Sequence, residues 1–313
     1  MTRLRPHFTQ LFALALPLVG SQLAQQAITV TDTVMLGWYG IRELAAVTLG
    51  GTIFFSVFIV GSGFALAVMP MVAAARAAGD LRQVRRVTRM GLWIVAAYGL
   101  VSYPVFWFSA PLLVALGQAP DLAAAAQDYL RIAGAGLTLA VLVMVLKSHL
   151  AALGHAGVVL WATLAGAGLN GVLNWLLIFG RAGVPELGIE GAAIASLGTY
   201  GLILAVLAIY AARVPVLREY ALFARIWRPD WPAFGQVFRL GWPIGLTVLA
   251  ESGLFAAASL MVGWIGEREL AAHGVALQIA SVTFMVHVGL SSAATVRAGQ
   301  AWGVRAVGSL RDG

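Results

Sequence analysis

Apolar and polar positions along this chain alternate in bilayer-length blocks. Eight apolar segments stand out, at residues 9–36, 44–72, 88–116, 127–150, 157–180, 189–212, 235–263 and 270–300, joined by short polar connections. Crossing a bilayer as a helix takes about 20 mostly apolar residues, so the expected fold class is an all-α polytopic membrane protein with about eight transmembrane helices. The first segment breaks its own pattern. Within residues 16–37, Gln22, Gln25, Gln26, Thr29, Asp32 and Thr33 recur at helical spacing, which gathers them into one polar stripe. Pro17 removes a backbone donor near the start of that helix and is expected to kink it. A carboxylate inside a membrane helix is costly and usually faces a cavity or a partner. Asp32 is therefore read as the heart of a transport site, with Gln22, Gln25, Gln26 and Thr29 lining the cavity beside it.

Charge sets the expected topology. Sixteen of the twenty basic residues fall on one side of the alternating connections, among them Arg3 and Arg5, Arg76 to Arg89, Lys147, the arginines of 213–239, Arg297, Arg305 and Arg311. That bias puts this side and the N-terminus in the cytoplasm. Trp38, Tyr39, Trp231, Trp242, Trp264 and Trp302 cluster near segment ends, as interfacial anchors do. His149 and His155 flank a connection on the basic side and are expected at the surface, whereas His287 is expected to pack within the last segment. Composition agrees: 60% of residues are hydrophobic, 11% are charged, and mean hydropathy is +0.88. Soluble domains hold about 45–50% apolar and about 25% charged residues. The pI near 10.4 comes from arginines spread between apolar segments, so lipid headgroups are the expected partner of the 76–89 connection and nucleic acid is not. There is no cysteine, which rules out disulfides and thiolate metal sites.

An internal repeat divides the chain. At an offset of 226 residues Pro17 falls on Pro243 and MLGWYGIRELAA (35–46) on MVGWIGERELAA (261–272), with roughly a third of positions 17–70 identical. Repeated halves with a site near the midplane are common in secondary transporters. The expected organisation is a six-helix N-terminal lobe at 1–212, a cytoplasmic linker at 213–234 and a partial C-terminal lobe at 235–313. Two such repeats would make about 450 residues and twelve spans, so the second lobe is expected to hold only its first two helices here and the chain is read as C-terminally truncated.

With these features the sequence resembles the multidrug and toxin extrusion (MATE) family, nearest its bacterial NorM-type branch. The resemblance rests on Pro17 with TDTVMLG (31–37), the ELAA runs at 43–46 and 269–272, WPIGLTVLAESGLF (242–255), LNGVLNW (169–175) and GIEGAAIAS (188–196). It implies a cofactor-free antiporter that exports bulky organic cations and drugs in exchange for Na⁺ or H⁺, expected as a monomer. It also implies a cation site joining Asp32 to Asn170, Asn174 and the hydroxyl of Ser196, with Thr199 as a substitute for Ser196. In the second lobe the family's carboxylate matches Glu251.

Elementary chemistry is compatible with that assignment. Asn170 and Asn174 lie four apart, one above the other on a helix face, and with Asp32 they offer hard oxygen ligands suited to Na⁺. The same carboxylate can take a proton, and sequence does not separate the two. A structural reading also fits, in which the asparagines and Asp32 hydrogen-bond neighbouring helices. Glu251 shares a polar face with Thr247, four residues earlier; Pro243 is the second expected kink. Two other functions compete with this one. A lipid-linked saccharide flippase would be expected to carry several basic residues in its cavity, and none is expected here. A truncated, non-transporting fragment that acts only in assembly is the other. Enzyme chemistry is not expected, since no GxSxG or HExxH run is present.

Overall fold

The computed structural model describes residues 5–263 and 267–304; Arg3, Trp264, Arg305, Arg311 and Gly313 lie outside the described residues. In chain order the helices are α1 (Arg5–Tyr39), α2 (Ile41–Ala77), α3 (Leu81–Trp107), α4 (Ser109–Ala115), α5 (Pro120–Ala152), α6 (Ala156–Ile178), α7 (Gly188–Arg213), α8 (Pro215–Arg218), α9 (Trp231–Gly263) and α10 (Glu267–Gly303). Five of them, α2, α3, α5, α6 and α7, are long and apolar enough to cross a membrane. α1, α9 and α10 are 35, 33 and 37 residues long. At about 1.5 Å per residue, each exceeds the roughly 30 Å of a hydrocarbon core.

Local chemistry sets several boundaries. Asp80 caps α3 by accepting the backbone N–H of Gln83 at 2.8 Å, satisfying a donor that the first helical turn leaves free. The expected third segment, 88–116, is divided between α3 and α4, with the break after Trp107. The reason is Pro111, which has no N–H to give the Trp107 carbonyl four residues back. That carbonyl instead accepts from Nε of Arg131 at 3.5 Å, whose guanidinium sits 5.1 Å from the Trp107 ring centroid.

α2 is the central post, packed against α5, α3, α9 and α10, while α1 lies between α6 and α10. The main core draws on α1, α2, α3, α5, α6 and α7 and takes in Val237 of α9 with Ala293 and Val296 of α10. The outer surface is apolar, as at Leu100, Trp161 and Phe108, which suits lipid. Small residues set the seam between α1 and α2 on one side and α9 and α10 on the other. A Cβ on Gly245 would lie 2.7 Å from the Val60 carbonyl oxygen, and one on Gly299 would lie 2.8 Å from that of Pro70. Gly241 and Gly303 meet α2 as closely. These contacts lie in the half of the bundle where α1 begins and α2 ends, the basic face. Toward the opposite face, Gly51 of α2 and Gly253 of α9 have nothing within 4 Å of where a Cβ would sit.

The connection between α7 and α9 is not a loose polar tether. It crosses the basic face and buries Leu217, Tyr220 and Leu222 in the main core. Asp230 pairs with Arg86 through Nε and through Nη2 at 2.9 Å. The Trp93 indole N–H donates to the Ile226 carbonyl at 2.8 Å, and Arg89 donates to that of Arg225. The guanidinium of Arg86 holds the Asp230 carboxyl below the ordinary carboxylate range.

His149 corrects an expectation, because it is buried rather than at the surface. The Thr88 hydroxyl gives its proton to the Val84 carbonyl at 2.9 Å, so the His149 Nδ1–H is the donor in their 2.8 Å contact. Tyr220 from the strap stacks edge-on against the ring. His155 is part-buried and meets the Tyr210 hydroxyl at 3.1 Å. His287 is exposed and turned back on the Thr283 carbonyl of its own helix at 2.9 Å.

Candidate functional site

The polar stripe of α1 is only partly turned inward: Gln22, Gln25, Gln26 and Asp32 are half-buried, while Thr29 and Thr33 are exposed. α6 packs along α1 and α7 along α6, so a residue on each can reach a single point on α1. Asp32 is that point. Its Oδ1 accepts from Nδ2 of Asn170 at 3.0 Å and from Nδ2 of Asn174 at 2.5 Å, while Oδ2 accepts from the Ser196 hydroxyl at 3.2 Å. The Asn174 amide also donates to Oδ1 of Asn170 at 3.2 Å. Both asparagine side chains are fully buried, which one helical turn of separation on α6 allows. Thr199, the substitute considered for Ser196, turns its hydroxyl to the Ala195 carbonyl at 2.8 Å and takes no part.

A carboxylate removed from water needs donors, and three neutral ones converge here. One polar atom of the cluster is buried without a partner: Oδ1 of Asn174, an acceptor. The cluster therefore offers carboxylate and amide oxygens to an incoming cation without a fixed positive charge in contact. Among the described residues no group of three or more His, Cys, Asp or Glu could hold a metal ion; any ion here would rest on one carboxylate and neutral oxygens.

Of the remaining expected residues, Gln25 is engaged and the others are not. Its Oε1 accepts from Nζ of Lys147 on α5 at 3.1 Å. Gln22, Gln26 and Thr29 lie along the same face, partly or fully exposed, with no side-chain hydrogen bond among the described residues. Glu251 and Thr247 of α9 are exposed and outside the cluster. The Thr247 hydroxyl bonds to the Pro243 carbonyl at 2.9 Å, and among the described residues nothing pairs with Glu251. Pro17 and Pro243 lie inside continuous helices.

One residue of this interior was missed by sequence reasoning. Lys147 was counted with the basic connections; it is in α5, a helix apolar enough to span a membrane, with its ammonium turned toward α1. The expectation that no basic residue sits within the spans is thus corrected. A charge inside VLVMVLKSHL was the available signal.

Compared with known proteins, the sequence matches the MatE family over residues 17–176 and 243–312. It is 50% identical over 297 residues to a Rhizobium meliloti (strain 1021) protein called probable multidrug resistance protein NorM, covering 95% of this chain and 64% of that one. A protein of the same name from Agrobacterium fabrum is 46% identical over 297 residues, with the same coverage. The chain thus spans 64% of the length of these relatives. Among solved structures, the eukaryotic MATE transporter AtDTX14 superposes with a TM-score of 0.88 at 19% identity, covering 99% of this chain and 68% of that one. A MATE structure in complex with MaD3S gives 0.85 at 22% identity, covering 96% and 67%. At these identities the likeness shows the fold.

Proposed function

The chain belongs to the MatE family, and from that premise we propose that its α1–α7 bundle is the ion-coupled half of an efflux transporter. The exported compounds are organic cations and related drugs, and the coupling ion is Na⁺ or H⁺. The observation that carries this reading is the Asp32 carboxylate, held by three neutral donors from two neighbouring helices. Such a carboxylate is stable when charged, yet no fixed cation in contact prevents a mobile one from arriving. A proton on Asp32 removes the need for three donors. A Na⁺ ion instead requires the amides to present oxygen, and the buried Oδ1 of Asn174 is oriented without a competing partner. Either event rearranges the contacts of α1 with α6 and α7.

α1 also packs on α10, so a change at Asp32 bears directly on the seam between the two sets of helices. That seam is tight toward the basic face, where Gly241, Gly245, Gly299 and Gly303 meet α2. With the basic face in the cytoplasm of a bacterial inner membrane, as the positive-inside bias favours, the two sets of helices are closed against each other on the cytoplasmic side. The linker at 213–234 then serves as the cytoplasmic strap between lobes at 1–212 and 235–313.

The test is gradient-driven movement of a fluorescent organic cation in proteoliposomes holding the chain. An imposed Na⁺ or H⁺ gradient should drive it in the wild type, and Asp32→Asn should abolish the driven component. Movement that survives Asp32→Asn unchanged rejects the assignment. Gradient-independent behaviour of the wild type, with ion binding at Asp32 retained, points instead to a lobe that does not transport alone.

A further inference from the structure

We infer that the first turns of α3 and the strap that crosses them hold the headgroup of one anionic phospholipid, whose acyl chains run down an aromatic ridge on α9. The inference goes beyond the transport reading and does not depend on it. On α3, Arg82, Arg85, Arg86 and Arg89 are spaced by three and four, so all four project from one helix face. Like charges at that spacing repel. Arg86 is neutralised by Asp230, and the Asp80 carboxylate is taken up by the cap of α3. Among the described residues the ion pairs are Arg42 with Asp121, Arg86 with Asp230 and Arg131 with Asp128. Arg82, Arg85 and Arg89 are in none of them, and Arg89 donates only to the Arg225 backbone carbonyl.

The strap adds positive charge at the same place. It runs antiparallel to α3, with the Ile226 carbonyl on Trp93 and Asp230 on Arg86 and Met90. The Arg225 carbonyl that takes the Arg89 guanidinium also accepts the Arg228 backbone N–H at 3.0 Å. Arg225 and Arg228 are exposed, and neither is in an ion pair among the described residues. Nε of Arg85 and Nε of Arg89 are buried with no acceptor, and an unpaired buried donor is costly. Phosphate oxygens are the acceptors that suit a guanidinium, often two at a time, and basic pockets between helices on the cytoplasmic side take anionic headgroups.

The neighbouring surface says which phosphate. Trp231, Phe234, Phe238 and Trp242 follow one another at helical spacing along α9, with successive ring centroids 5.7, 6.3 and 6.4 Å apart. Trp231, Phe238 and Trp242 are exposed. The ridge begins beside the arginines, because Asp230 both pairs with Arg86 and accepts the Ala233 backbone N–H at 3.2 Å. The Gln83 amide meets Oε1 of Gln236 at 3.2 Å, a second tie at that level. A soluble anion gains nothing from such a ridge, whereas a phospholipid presents a phosphate and apolar chains together. Asp80 and Asp230 are both engaged, so the cluster has neither of them to offer an ammonium. The fit is to a phosphatidylglycerol-type headgroup and not to a choline.

The test is native mass spectrometry of the full 313-residue chain in detergent, titrated separately with dioleoyl phosphatidylglycerol and dioleoyl phosphatidylcholine. The wild type is expected to retain one phosphatidylglycerol about tenfold more tightly than phosphatidylcholine, equivalent to about 1.4 kcal/mol. Arg85→Gln with Arg228→Gln should bring that ratio to within about twofold of one, each arginine near a headgroup being worth about 1 kcal/mol. Arg213→Gln with Arg218→Gln removes the same charge at the strap's opposite end and should leave the ratio unchanged. Trp242→Ala should weaken both lipids alike, and sn-glycerol 1-phosphate, the soluble headgroup, should displace neither. A wild-type ratio near one, or equal effects from the two arginine pairs, overturns the inference and leaves a diffuse positive surface. Displacement by glycerol phosphate overturns it in favour of a soluble anion, and full retention of both lipids in Trp242→Ala removes the ridge from the site. None of these outcomes touches the transport reading of Asp32.

Discussion

Nδ2 of Asn174 lies 2.5 Å from Oδ1 of Asp32 although 142 residues separate them along the chain. α6 and α1 run side by side over much of their length, and this contact joins them at the level of the candidate ion site. Because the Asn174 side chain is fully buried, the bond is shielded from water and cannot be exchanged for one to solvent.

Asn174→Ala should therefore cost stability as well as ion affinity. It leaves the carboxylate with two donors instead of three, and a lost partner at a buried polar group costs about 1–3 kcal/mol. Thermal unfolding in detergent measures this. A loss below a few tenths of a kcal/mol would show that the carboxylate recruits another donor.

Ser196 and Thr199 are a matched pair for separating contact from proximity. Ser196→Ala removes a donor to Oδ2 of Asp32 and should weaken ion binding about tenfold, the worth of roughly 1.5 kcal/mol for a hydrogen bond to a charged group. Thr199→Ala removes only a bond to the Ala195 carbonyl and should leave ion affinity within about twofold. Equal effects from the two would mean that Thr199 also reaches the ion.

The seam between α2 and α9 is testable by size alone. A Cβ on Gly245 would lie 2.7 Å from the Val60 carbonyl oxygen, against backbone that cannot rotate away. Gly245→Val is expected to destabilise by about 1–3 kcal/mol. Gly63 faces the Gly245 backbone, so Gly63→Val with Gly245→Val should cost less than the sum of the singles, because helices already forced apart leave room for the second side chain. Strict additivity in a double-mutant cycle would place the two glycines in independent contacts.

The strap across the basic face should be sensitive to acid. Arg86 holds the Asp230 carboxyl below its ordinary range, so the pair's stabilisation is present above the unfolded value of about 3.9 and is lost as pH falls through the depressed folded value. Asp230→Asn removes it at every pH, at a cost of about 1 kcal/mol for so exposed a pair. Unfolding temperatures of wild type and Asp230→Asn should differ at pH 7 and converge in strong acid. A second readout uses the absence of native cysteine: Leu222→Cys, on the buried side of the strap, should react with maleimide about fivefold faster in the Asp230→Asn background, the factor that about 1 kcal/mol represents. An unchanged rate would mean that the arginine pair does not hold the strap down.

What the sequence determined by itself is whatever depends on local periodicity and on the bilayer. Long apolar blocks make an all-helical membrane fold because a chain in lipid must satisfy its own backbone groups. The 226-residue offset between Pro17 and Pro243, with the TDTVMLG and LNGVLNW runs, carried enough pattern to point to the MATE family. Spacing also placed Asn170 above Asn174. Tertiary structure decided which atoms meet. It chose Ser196 over Thr199, because a hydroxyl one turn along α7 is drawn to its own helix's carbonyl instead. It divided α3 from α4 at a carbonyl that Pro111 cannot serve, buried His149 against Thr88, and folded the supposedly polar linker down on Leu217, Tyr220 and Leu222. It turned Lys147 inward to Gln25. No periodicity encodes that direction, because the side a flexible ammonium takes depends on the gap between α1 and α5, and that gap exists only once every other helix has packed.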